Sequence, residues 1–152
     1  MTGGDSRRRD YLALAISLAI GVAFIYAGAS KLRDPLQFAD SIAAFALLPA
    51  VLINLMALTL PPFEIACGLL MLRPRTRRVA ALALALTAVM FFSALVSALA
   101  RGLTLDCGCF GVGAPSRPRM WLESGLNILL FAGALTVYLR STASRSIRSR
   151  AT

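Results

Sequence analysis

The chain of 152 residues contains no histidine and only three cysteines, Cys67, Cys107 and Cys109. A closed zinc site takes four Cys or His ligands at wider spacing than Cys107 and Cys109 offer, so the inventory argues against a structural zinc module. Acidic residues are scarce, 7 against 16 basic ones. No stretch is long or polar enough for a second domain, and neither an internal repeat nor a low-complexity block carries a functional claim.

Apolar sequence is what the chain has in excess. Hydrophobic residues make up 58% of it and the mean hydropathy is +0.74, against an apolar share of roughly 45–50% in soluble domains. This is the composition of a membrane protein. Crossing a bilayer takes about 20 apolar residues in a helix. Four stretches qualify, Tyr11 to about Ala29, Val51 to Leu72, Val79 to Ala100 and Trp121 to Leu139. Backbone polar groups in hydrocarbon must be satisfied within the segment, so all four should be helices. The connections are short, and sequential helices are expected to be antiparallel neighbours. The expected architecture is therefore all-α, an integral membrane four-helix bundle over residues 10–140, with basic tails at 1–9 and 141–152. The segment after "RRRD" outruns the h-region of a signal peptide and shows no clear cleavage site, so it is read as a retained helix.

A net charge of +9 invites a nucleic-acid reading, but the placement of the basic residues opposes it. Arg7, Arg8 and Arg9 precede the first span, Arg73, Arg75, Arg77 and Arg78 join the second to the third, and Arg140, Arg145, Arg148 and Arg150 follow the fourth. Only Lys31, Arg33, Arg101, Arg117 and Arg119 fall on the opposite side. The positive-inside rule then expects both termini in the cytoplasm, in an inner-membrane protein whose partners include membrane lipids and no nucleic acid. The polar, aperiodic C-terminal tail is expected to fray on anionic headgroups.

Between the first two spans, "DPLQFADSIAAFALLP" is too short and too polar to cross. Gln37, Asp40 and Ser41 share a helical face that Leu36, Ile42, Phe45 and Leu48 mostly avoid, the pattern of a short interfacial amphipathic helix. Pro35 suits its first turn and Pro49 marks its end. It is either a plain connector or a lid over the cysteine pair.

That pair lies in "LTLDCGCFGVG", residues 103–113. In a fully extended strand, residues at i and i+2 sit near the upper limit of about 6.8 Å between Cα atoms that a disulfide accepts, so the loop must bend. Gly108 permits the bend, and Gly111 and Gly113 free the backbone beyond it. A bridge across one residue closes almost no loop and stabilises little. Strained, exposed bridges are the labile or catalytic kind, so Cys107 and Cys109 read as a redox-active disulfide. Asp106 opposes a thiolate at Cys107 by like-charge repulsion, which Arg101, Arg117 and Arg119 offset. Two other readings stand beside this one: loop thiols left unpaired or passively bridged, and capture of a soft ion with Cys67 as third ligand.

Inside the second span, "LPPFEIAC" is the other informative stretch. Pro61 and Pro62 lack N–H groups and interrupt the helical ladder. Glu64 is an ionisable residue at membrane depth, costing about 2.5–3.5 kcal/mol on insertion scales, and is a functional candidate for that reason. It can relay a proton, orient a quinone headgroup, or hold helices together through a hydroxyl such as Ser17 or Thr87. Cys67 shares its face and reads as packing.

Together, "YAGASKLRDP", "LLP", "LPPFEIACGLLML" and "DCGCFG" resemble the MauE-type membrane proteins of methylamine utilisation, within the DoxX-like group, over residues 10 to 140. The resemblance implies a four-helix membrane protein that works with a separate extracytoplasmic thioredoxin-like partner to form disulfides in an exported protein, a cysteine-rich dehydrogenase subunit being one such client. Thiol–disulfide exchange through Cys107 and Cys109 is the mechanism expected, with a membrane quinone taking the electrons and Glu64, Tyr26 and Lys31 contacting it; the same residues serve the reverse flow. A soft-metal permease and a non-catalytic scaffold are the alternatives. On the exchange reading, a membrane-impermeant maleimide added to intact cells, after mild reduction, modifies Cys107 and Cys109 and spares Cys67; mass mapping of the labelled peptides checks this.

Overall fold

A computed structural model describes the backbone of residues 3–105 and 116–149, and the side chains of 11–105 and 116–142. The described residues form five helices and no strand: α1 (Gly3–Arg33), α2 (Pro35–Ala44), α3 (Ala50–Met71), α4 (Arg77–Ala100) and α5 (Arg117–Ser149). Four of them are long and apolar enough to span a membrane, over Tyr11–Arg33, Ala50–Met71, Arg77–Ala100 and Arg117–Thr142. The protein is a multi-pass membrane protein. Large apolar side chains point outward from every span, among them Leu18, Leu58, Leu86 and Leu129, as expected where lipid replaces water as the solvent.

The helices form a ring. α1 packs chiefly on α3 and α4 on α5, while α3 against α4 and α1 against α5 close the circle. Glycine lets α1 and α3 approach closely. A Cβ on Gly28 would lie 2.7 Å from the Pro61 carbonyl, one on Gly68 would lie 2.8 Å from the Gly21 carbonyl, and one on Gly21 would meet the Gly68 carbonyl at 2.9 Å. Lipid tails are as apolar as leucine, so close van der Waals packing at small residues is what draws such helices together.

Two expectations about helix limits change. The basic sequence beyond Leu139, expected to fray, continues as helix to Ser149, and α1 already begins at Gly3. Once a span supplies the nucleus, adding a residue to its end costs little. Pro61 and Pro62 also leave α3 continuous from Ala50 to Met71. They remove the hydrogen bonds to the Ala57 and Leu58 carbonyls; Pro61 is buried with its carbonyl against Gly28 of α1, while Pro62 lies on the exposed face.

α2 is the short helix expected between the first two spans. Asp34 caps it, accepting from the Gln37 N–H at 3.0 Å, with Pro35 in the first turn. Phe38 turns inward against Ala57 and Leu60 of α3, and Ala46, at φ 49°, reverses the chain after the helix. At the end of α4, Gly102 takes φ 72°, while the N–H of Leu103 reaches the Ala98 carbonyl and that of Gly102 the Leu99 carbonyl, both at 3.0 Å. This is a Schellman motif, which needs a residue with no Cβ penalty at positive φ.

Filling the α1–α3 seam should loosen the bundle. Gly68→Val is expected to lower unfolding stability in mild detergent by about 1–3 kcal/mol, the usual cost of overpacking, as measured by denaturant titration of helical circular dichroism.

Candidate functional site

Ser17, Ile20, Phe24, Ala27 and Lys31 follow helical spacing along α1, and all are buried. That stripe meets the inner face of α3, which carries Glu64. The Lys31 Nζ donates to both carboxylate oxygens of Glu64, at 2.8 and 2.7 Å. Lys31 is 3% exposed and Glu64 1%. The ammonium also faces the ring of Phe91 from α4 at 4.7 Å and that of Phe38 from α2 at 5.4 Å, both within cation–π range. Desolvating two such ions costs several kcal/mol each, and attraction offsets this only where geometry is good and further partners complete the shell. The bidentate contact and the two ring faces meet that condition.

The pair lies deep in the bundle. Helical rise puts Glu64 roughly 21 Å along α3 from Ala50, and Phe91 about 14 Å along α4 from Ala100, well inside both spans, and Lys31 reaches them from the last turn of α1. A void of about 10 Å³, bounded by Lys31, Glu64, Phe91 and Asn127 among others, is close to the smallest that holds one water.

α5 supplies further polar groups that sequence reasoning passed over. Glu123, Ser124 and Asn127 are all buried. Asn127 Nδ2 donates to the Glu123 carbonyl at 3.0 Å, and Arg119 pairs with the Glu123 carboxylate at 3.1 Å. Glu123 carries the signal that singled out Glu64, a carboxylate inside an apolar span. Its position close to the basic start of that span masks it.

The expected site residues divide into three groups. Glu64 and Lys31 come together: Lys31, in the last turn of α1, turns inward as the buried partner of Glu64. The hydroxyls of Ser17 and Thr87, expected as partners for Glu64, instead bond carbonyls of their own helices, Ala13 at 2.7 Å and Ala83 at 3.0 Å. Tyr26 does not join: five residues before Lys31, it faces about 140° away around α1 and is 57% exposed. Cys67 is buried among Ile20, Met71, Ala81 and Leu84, as the packing reading expected.

Asp106, Cys107 and Cys109 lie outside the described residues; the chain leading to them does not. Leu103 and Leu105 pack with Phe45, Leu95, Ala98 and Met120, and the Leu105 N–H points at the Met120 sulfur, 3.3 Å away. Arg101 bonds the Phe45 carbonyl and, at 3.2 Å, that of Ser97, tying the end of α4 to the end of α2. Two of the cations expected to offset Asp106, Arg101 and Arg119, thus have contacts inside the bundle. Cys67 sits roughly 25 Å along α3 from Ala50, toward the end of the bundle away from Leu105.

A family model described as methylamine utilisation protein MauE matches residues 9–140. The chain belongs to the MauE family. Methylamine utilization protein MauE of Paracoccus denitrificans is 33% identical over 124 residues, covering 81% of this chain and 66% of that protein. The protein of the same name from Methylophilus methylotrophus is also 33% identical over 124 residues, covering 80% of this chain and 64% of its own length. The match thus spans just under two thirds of either relative. No solved structure matches the chain.

In this MauE-family chain the ion pair should behave as a unit. Lys31→Met or Glu64→Leu alone is expected to cost about 3–5 kcal/mol, because each strands a buried charge, whereas Lys31→Met with Glu64→Leu should recover most of the loss. Unfolding midpoints of the two singles and the double, in the same detergent, check this cycle.

Proposed function

We propose that the protein is a membrane thiol–disulfide oxidoreductase of the inner membrane, serving disulfide formation in exported proteins through Cys107 and Cys109. The carrying observation is the coincidence of a Cys-Gly-Cys sequence with an anchored point of departure: the residues before it, Leu103 to Leu105, are packed against Phe45 and Met120 at one end of the bundle. By family, the role falls within methylamine utilisation, and the thioredoxin-like partner is a separate extracytoplasmic protein. Both termini face the cytoplasm on this reading, and the cysteine loop faces the partner.

Exchange proceeds in two displacements. A partner thiolate attacks one sulfur of the Cys107–Cys109 bridge, that bond breaks, and a mixed disulfide forms. The second partner thiol displaces the protein's sulfur, so the partner leaves as a disulfide and Cys107 and Cys109 are left as two thiols. Reoxidation removes two electrons and two protons, which a lipid-soluble quinone supplies the means to accept. Lys31 and Glu64 hold charge inside the bundle and keep Phe38 and Phe91 in place around it.

A Cys109→Ser variant has no bridge for a reduced partner to attack; its Cys107 thiolate instead attacks the disulfide of an oxidised partner, and the protein has no second thiol there to displace the adduct. It should accumulate a mixed disulfide through Cys107 with an exported thioredoxin-like protein, visible on a non-reducing gel and collapsed by dithiothreitol. Absence of any such adduct, with Cys107 still free to alkylate, would count against the exchange.

A further inference from the structure

A cleft of about 390 Å³ opens between α2, α3 and α4. Its walls include Phe38, Phe45, Met56, Met90 and Phe91, and two hydroxyl residues, Ser93 and Ser97, lie along the α4 side. We propose that this cleft binds the ring of a membrane quinone, the acceptor for the electrons of the cysteine pair. The proposal rests on the exchange reading for the source of those electrons, and on the cleft itself for the place they go.

Four observations support a quinone, and two of them, the aromatic walls and the hydroxyls, favour it over an acyl chain. The volume falls in the range of about 300–1,000 Å³ typical of small-molecule sites. Three of the walls are aromatic, suited to stacking on a flat ring, and two of those rings, Phe38 and Phe91, are the faces that cover the Lys31 ammonium. The ion pair thus serves as a positioning device that fixes the inner wall. A saturated chain has no use for hydroxyls, yet the cleft carries two. Ser93 bonds the Met90 carbonyl at 2.8 Å, and Ser97 lines the cleft with a hydroxyl that would donate to a ring carbonyl.

The fourth observation is continuity with the cysteine segment. Phe45 lines the cleft and also belongs to the cluster that packs Leu103 and Leu105, so one side chain touches both the proposed acceptor site and the chain entering Asp106–Cys107. Arg101, the residue after the end of α4, bonds the carbonyl of this same Phe45. The balance is complete: two S–H bonds break and one S–S bond forms, while the two electrons and two protons released convert the two ring carbonyls to hydroxyls. This location differs from a site built on Tyr26, which lies on the far side of α1.

The test uses the full chain in nanodiscs of saturated phosphatidylcholine and an azido-benzoquinone with a ten-carbon tail, photolysed and mapped by mass spectrometry. Label should fall on the peptides carrying Phe45 and Phe91–Ser97, and an unlabelled decyl-benzoquinone should displace it while a decyl alcohol does not. Ala94→Trp, which fills the cleft, should weaken labelling about tenfold or more. Ser97→Leu, a smaller change that guards against misfolding, should weaken it as well, and Leu86→Trp on the lipid face of α4 should not. Label spread over lipid-facing positions, confined to the Tyr26 face, or displaced equally by the alcohol would overturn the site. In the same wild-type samples, alkylation mass shifts against a glutathione series report whether Cys107 and Cys109 cycle. A pair that never oxidises beside a labelled cleft sinks the exchange reading and keeps the quinone site, and a cycling pair with no cleft label does the reverse.

Discussion

Two opposite charges buried in an apolar bundle are the constraint around which this structure is arranged. Neither Lys31 nor Glu64 is tolerable alone in hydrocarbon, so each element near them has a part in keeping them together. The glycines of the α1–α3 seam bring the two backbones close enough for a bidentate contact. Phe91 from α4 and Phe38 from α2 then cover the ammonium. The short helix read as either a connector or a lid over the cysteine pair lies alongside α3 and shares in covering that charge.

The polar layer divides two apolar regions with different tasks. On one side, Ile20, Met71, Leu84 and Val137 make a tight core of small and branched side chains that includes Cys67. On the other, Phe45, Leu95, Ala98 and Met120 gather the ends of α2, α4 and α5 under the start of the cysteine segment. A left-handed glycine and the carbonyl contacts of Arg101 set the direction in which the chain leaves α4. The packed chain at this end runs as far as Leu105, directly before Asp106 in the sequence. Membership of the MauE family agrees with that division, since the matched residues, 9–140, include both the bundle and the cysteine segment.

Legibility from sequence differed by residue, for physical reasons. Glu64 stood out because a carboxylate in an apolar run has few innocent explanations. Lys31 was named beside it as a quinone contact, but not as its ion-pair partner, because a lysine near a helix end ordinarily snorkels to the headgroups, and only the lateral packing of α3 shows that it turns inward. Tyr26 was grouped with it by nearness in sequence, although five residues on a helix separate their directions widely. Asn127 and Glu123 sit on the buried face of α5, and that face has no meaning until a neighbouring helix is placed against it. The double proline read as a break, yet α3 runs on through it, with Pro61 packed against α1 on its inner side.

Run length and hydropathy alone determined that the chain makes four membrane helices with a short amphipathic one between the first two, because a lipid solvent leaves the backbone no other way to satisfy its hydrogen bonds. Local sequence also determined the start of α2, where Asp34 and Pro35 act within a single turn. Tertiary structure decided which polar groups meet. Lys31 and Glu64 are 33 residues apart in the chain, on helices whose relative rotation is set by where glycine permits contact. The cleft walled by Phe38, Phe45 and Phe91 likewise exists only once three elements converge, since no one of them has a concave surface of its own.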